Sequence, residues 1–171
     1  MRALAVIPFI ILAASCGETP AENKAQPAAA LPPAGQWELT SEVTSLAKVD
    51  TEAPRLNTPV GTRATNSVCA AEGHQLPSAF FAGEGYRCTY GTYYARNGRL
   101  NVTMSCRRDG LAGDITMAAE GTYQGDTAEF RRNLRTNLTT EGDSVIDARV
   151  TARRTGDCTP QAAGAEGQNA Q

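Results

Sequence analysis

Histidine occurs once in this chain, as His74 in a Gly-His-Gln stretch, and no serine sits in a GxSxG setting. Nothing in the sequence therefore pairs a nucleophile with a base. Five cysteines are present without a CxxC or any other pair at zinc-ligand spacing. That argues against a zinc site and against a redox-active dithiol at a helix start. Basic residues are not in excess: Lys+Arg 16 against Asp+Glu 18 give a net charge of −2, so no overall positive field draws nucleic acid. An apolar run of about 18 residues, enough for a mature transmembrane helix, is also missing. The expectation is a non-enzyme with no catalytic residues, no metal and no cofactor.

The longest apolar stretch lies at the start, in MRALAVIPFIILAASC. One arginine, an apolar segment from Ala3 to Leu12, and the small residues Ala13, Ala14 and Ser15 have the form of a signal peptide over residues 1–15. Leu12-Ala13-Ala14-Ser15-Cys16 resembles a bacterial lipobox, with the leucine four places before the cysteine rather than three. The resemblance implies acylation of Cys16 (palmitate-type chains) and an anchor in the membrane. Several chains on one residue hold stably where a single chain is marginal. By the sorting rules of such lipoproteins, Gly17 implies the outer membrane, facing the periplasm, with a soluble periplasmic protein as the alternative. Residues 16–35, rich in Ala and Pro, read as a tether, and residues 159–171 as a disordered tail. A single domain is left, over residues 36–158.

Within it the apolar period is two. Trp37, Leu39 and Val43 alternate with polar residues in QWELTSEV; TRATNSVC is a second, less apolar candidate strand. One short helix is expected around Leu76–Ala82, followed by antiparallel hairpins from residue 86 onward. With Cys16 set aside, four cysteines remain, an even set that in an exported chain implies two disulfides among three connectivities.

The stretch YRCTYGTYYARNGRLNVTMSC allows two registers. A three-residue turn at Arg96-Asn97-Gly98 sets Ala95 opposite Arg99 and Cys88 opposite Cys106. It places Tyr90, Thr92 and Tyr94 on the face of Leu100, Val102 and Met104. A two-residue Asn-Gly turn sets Cys88 against Arg107 and sends Val102 and Met104 to the other face. The three-residue turn is preferred. The next hairpin, turning at Gln124-Gly125, pairs Ala119 with Phe130, Ile115 with Leu134 and Glu120 with Glu129. The last, turning at Glu141-Gly142-Asp143, pairs Leu134 with Val150 and Leu138 with Ile146. The fold class is mainly β: about seven antiparallel strands in a meander, forming a curved sheet or small open barrel, with a sandwich as the alternative.

A set of short motifs in order then resembles a known family. They are Pro33-Ala34-Gly35-Gln36-Trp37-Glu38, Cys69 before Ala-Ala-Glu, Cys88 and Cys106, Gly121-Thr122-Tyr123-Gln124-Gly125-Asp126, and Ala152-Arg153-Arg154-Thr155-Gly156-Asp157-Cys158. The chain resembles domain of unknown function 3617, small exported proteins and lipoproteins of proteobacteria. The resemblance implies a fold and an envelope location and supplies no activity. Members often carry Pro where this chain has Ala71. With Cys88 and Cys106 paired, the second disulfide is Cys69–Cys158, joining an early strand to the last.

Two surfaces hold the candidate sites. The last hairpin sets Arg135 opposite Arg149 and Arg131 opposite Arg153, all outward, a candidate anion-binding face. Asp114, expected opposite Arg135, together with Glu129 and Asp147, would make the same face a solvated mixture of charges. Inside, Arg132 falls between Phe130 and Leu134, and with Tyr90, Tyr94 and Trp37 it marks a candidate ligand pocket. An ordinary packed core explains the same four residues. The expected function is a non-catalytic structural or interaction module of the envelope, its partner an envelope protein, an anionic lipid or cell-wall material. The alternative is a small carrier of an apolar or acidic, lipid-like ligand.

Overall fold

The computed structural model describes residues 31–158. The expected signal peptide, Cys16, most of the tether and the tail lie outside the described residues. Seven strands, β1 (Gly35–Lys48), β2 (Arg63–Ala70), β3 (Tyr86–Arg96), β4 (Arg99–Arg108), β5 (Gly113–Gln124), β6 (Thr127–Leu138) and β7 (Ser144–Gly156), form one antiparallel sheet in the order β2-β1-β7-β6-β5-β4-β3. The sheet curls into a half-barrel. Its two edges, β2 and β3, are consecutive in sequence, so the segment joining them runs over the open side. That segment carries the one short helix, α1 (Ser78–Ala82).

Period-two patterning sets the faces. In β4, RLNVTMSCRR, exposed and buried residues alternate strictly from Arg99 to Cys106, because successive side chains point to opposite sides of a pleated strand. The inward residues Leu39, Val102, Met104, Ile115, Met117, Phe130, Leu134, Ile146 and Val150 form the core. Leu76, Phe80 and Phe81 complete it from the open side, and Leu56 of the β1–β2 connection joins the same core. The chain is engaged before β1 begins: Pro32 is buried and the Trp37 indole Nε1 donates to Pro33 O at 3.1 Å.

The registers differ from expectation in three hairpins. In β3–β4 the turn has two residues, Asn97 (φ 53°) and Gly98 (φ 72°), both left-handed as a type I′ turn requires. Arg96 therefore faces Arg99, and Ala95 faces Leu100. Cys88 still meets Cys106 because the register shifts at Gly91, between Tyr90 and Thr92. This bulge admits one extra residue. Thr103 Oγ1 accepts from the Thr92 amide at 3.0 Å there. The bulge also turns Tyr93 inward, while Tyr94 points out and is 45% exposed.

In β5–β6 the turn is Gly125-Asp126, so Phe130 faces Gly121 and Met117 faces Leu134. Gly121 is needed: a Cβ there would collide with the Glu129 carbonyl and the Phe130 backbone. In β6–β7 the pairing moves by two turns of the pleat, setting Leu134 opposite Ile146 and Phe130 opposite Val150. Residues 139–143 leave the ladder to dock on the connection after β1. The Asp50 carboxylate accepts from the amides of Gly142 (2.7 Å) and Asp143 (2.8 Å), and Arg55 N donates to Gly142 O at 2.8 Å.

Both disulfides form as expected, Cys88–Cys106 within a hairpin and Cys69–Cys158 between β2 and the end of β7.

Candidate binding surfaces

The outward face is open and polar. At one level across the sheet stand Arg63, Glu42, Arg149, Arg131, Glu120, Asn101 and Tyr94, each the register partner of the next. Arg131, Arg135, Arg149 and Arg153 all point outward, as expected. Their partners differ because of the shifted register. Arg131, not Arg135, faces Arg149; Arg153 faces Thr127 and Glu38, and Arg135 faces Val145 and Thr116. Asp114 pairs with Arg107 at 3.0 Å rather than with Arg135. The expected Glu120–Glu129 apposition is replaced by Glu120 opposite Arg131. Glu129 instead bridges Arg149 Nε at 2.8 Å, and Glu42 bridges Arg63 at 2.8 Å.

The row is thus mixed in charge, with Glu120 opposite Arg131 and Glu42 opposite Arg149. Arg131 makes no ion pair among the described residues. Beside it a groove of about 540 Å³ is lined by Thr44, Glu120, Thr122, Glu129, Arg131 and Arg149.

The inward face is closed by aromatic packing. Trp37 is fully buried and meets Phe80 edge-on at 5.6 Å; Phe80 stacks on Phe130 at 5.9 Å; Phe81 reaches Tyr90 and Tyr93. Trp37 and Tyr90 therefore join this packing rather than lining an open pocket, and Tyr94 is excluded from the interior by the Gly91 bulge. Arg132 does lie inside, flanked on the neighbouring strands by Ala119 and Ala148. Its Nη1 donates to the carbonyls of Ala82 (2.9 Å) and Phe81 (3.3 Å) at the end of α1. Burial pushes its guanidinium below the ordinary arginine value, since the charged form loses water. The interior tyrosine that sequence reasoning missed is Tyr93, whose hydroxyl accepts from the Leu76 amide at 3.0 Å; burial raises its pKa. Tyr90 donates to Leu76 O at 2.6 Å. The signal was Gly91, since a glycine inside a strand often marks a bulge.

The family described as proteins of unknown function, DUF3617, matches residues 31–158. The chain belongs to this DUF3617 family. No curated protein and no solved structure matches it.

In this DUF3617 chain the first and last of the motifs that carried the resemblance meet in one corner. Arg154 Nε donates to Ala34 O at 2.6 Å and its Nη2 bridges Asp157 at 2.9 Å. Gly35, at φ 138°, lies where a Cβ would strike the Arg154 guanidinium. Thr155 Oγ1 donates to Gln36 O at 3.2 Å, and Cys158 closes onto Cys69. These residues fix the seam of β2, β1 and β7. The position of Ala71 does not open α1, which begins at Ser78 behind Pro77. His74 is exposed in the loop before it.

Proposed function

We propose that this protein is a non-catalytic binding module of the bacterial cell envelope, anchored through Cys16 at the outer membrane. In this reading the outward face around Arg131 and Arg149 holds an anionic group of an envelope component. The observation that carries the reading is the direct pairing of Arg131 with Arg149 beside an open groove. Like charges directly opposite on a sheet destabilise it, and guanidinium pairs are suited to phosphate and carboxylate oxygens. Glu129 bridges Arg149, whereas Arg131 faces Glu120 across the strands without an ion pair among the described residues, so in this reading Arg131 recruits the anion.

The test is a titration of the protein with inorganic phosphate and with phosphatidylglycerol vesicles, against phosphatidylcholine vesicles as the neutral control. Binding should be salt-sensitive and should fall in Arg131→Gln, while Arg63→Gln, whose charge is already bridged, should bind normally. Equal binding by wild type and Arg131→Gln would reject the anion site. Intact mass of the protein from its own envelope should carry acyl chains on Cys16; an unmodified thiol there would remove the anchor.

A further inference from the structure

The least expected charge in the molecule is Arg132. It projects into the apolar side of the sheet, between the rows of Phe130 and Leu134. No carboxylate lies within ion-pair distance among the described residues. Its hydrogen bonds go only to two main-chain carbonyls of α1. A desolvated cation satisfied by neutral carbonyls is a weaker arrangement than one facing an anion. Its row neighbours, Ala119 and Ala148, are small, and the guanidinium reaches past them to the carbonyls of α1.

The segment over Arg132 is built as a separable cover. It is a five-residue helix between two cystine-fixed strands, with glycines at positive φ on both sides, Gly73 (71°) and Gly83 (78°). Beside the packing of Phe80, Phe81 and Leu76 on the core, it is joined to the sheet by the hydrogen bonds from Arg132 and by those of Tyr90 and Tyr93 to Leu76.

We infer that α1 is a lid over an interior site for an acidic amphiphile. When the lid swings out, the acyl chain takes the place of Phe80 and Phe81, and the anionic headgroup takes the place of the carbonyls on Arg132. This site is distinct from the outward Arg131–Arg149 face and does not depend on it. The ligand class is an anionic headgroup on a hydrocarbon chain, which a free fatty acid and a lipid phosphate both provide.

Trp37, the single tryptophan, touches Phe80, so its emission reports the lid. The protein is titrated with dodecanoate, dodecyl phosphate and the uncharged dodecyl maltoside, each below micelle-forming concentration. A saturable change in Trp37 emission with an anionic probe, and none with the maltoside, is expected. Response to dodecanoate alone identifies a carboxylate ligand, to dodecyl phosphate alone a phosphate ligand, and to both the shared anionic chemistry. In Arg132→Gln, which keeps amide donors for the α1 carbonyls but loses the charge, affinity should fall about tenfold. In Tyr93→Phe, which frees the Leu76 amide and weakens the closed lid, affinity should rise about threefold. No saturable response, an equal response to the maltoside, or unchanged affinity in Arg132→Gln overturns the lid site. If Arg132→Gln fails to fold, Tyr93→Phe decides: tighter binding supports the site, and unchanged or weaker binding overturns it.

Discussion

The two faces of this sheet are made from the same strands and are held by different physics. Inward, the alternate residues are mostly apolar and closely packed, with Arg132, Thr136 and Ser144 as the polar exceptions, and α1 with its two phenylalanines finishes the core. Outward, the alternate residues are Thr, Glu and Arg in contact with water, joined by ion pairs such as Arg149–Glu129, whose side chains are 67% and 53% exposed. Apolar burial stabilises by roughly 1.5–3 kcal/mol per large side chain, whereas an exposed ion pair contributes about 0–1 kcal/mol. Stability thus resides mainly on one face, and substitutions on the other cost the fold little.

The largest expected effect comes from the covalent tie that keeps the inward face wrapped. Cys69 and Cys158 are 89 residues apart, Cys88 and Cys106 only 18. On the chain-entropy account, replacing the long bridge by serines should lower unfolding free energy by about 4–5 kcal/mol, and the hairpin bridge by about 3 kcal/mol. Denaturant unfolding of the two double variants checks the order. Equal losses would mean that the unfolded chain is already constrained near the long closure.

Next in size is Phe81→Ala. Phe81 is fully buried and touches Phe80, Tyr90, Tyr93 and Phe130. The loss should be about 3–5 kcal/mol. Thr40→Ala, on the outward side of β1, should shift stability by less than about 0.5 kcal/mol. A loss near 1 kcal/mol or below for Phe81→Ala would show that α1 adds little to the closed fold, which would also make the lid cheap to open.

A smaller effect sits at the junction of the β1 connection with the β6–β7 turn. The Asp143 and Gly142 amides hold the Asp50 carboxyl below its ordinary value of 3.8. A carboxyl whose folded pKa is depressed stabilises the fold fully above its unfolded pKa, and that contribution disappears as pH falls through the folded value. Asp50→Asn should therefore be less stable than wild type at pH 7, with the difference shrinking below pH 4. A difference that stays constant from pH 7 to pH 3 would assign the effect to hydrogen-bond geometry and not to charge.

Which face each residue takes was legible from sequence almost throughout, because the period of two survives any error that moves a hairpin by an even number of residues. That period alone puts Arg131, Arg135, Arg149 and Arg153 outward and Arg132 inward, as in the structure. Register was not legible. A turn at Gly125-Asp126 in place of Gln124-Gly125 slides Phe130 from Ala119 to Gly121 without changing its face, and composition near the turn does not distinguish the two. The β6–β7 slide goes with the Gly142 and Asp143 amides bonding Asp50, some 90 positions earlier in sequence, a contact that no local pattern announces. Tyr94 and Tyr93 exchanged places because one bulge at Gly91 breaks the parity. The cysteine pairing came out right through two compensating features, a shorter turn and a bulge.

A small expected change in stability is also the sharpest test of the division between the faces. Glu129→Gln removes the partner of Arg149 on the exposed surface. Unfolding free energy should change by less than about 1 kcal/mol, and the difference should fade between 0.1 and 1 M salt, where the screening length shrinks from about 10 to 3 Å. Anion binding should respond in the opposite sense and more strongly, because the Arg131–Arg149 pair then stands uncompensated except for Glu120 opposite Arg131 and Glu42 opposite Arg149. Phosphate affinity measured by calorimetry should rise several-fold, about what 1 kcal/mol provides. Stability lost without affinity gained would make Glu129–Arg149 a structural pair and return the outward face to a plain solvated surface. Affinity gained with stability intact would show the outward charges to be set for a ligand, which the inward core makes affordable by carrying the fold without them.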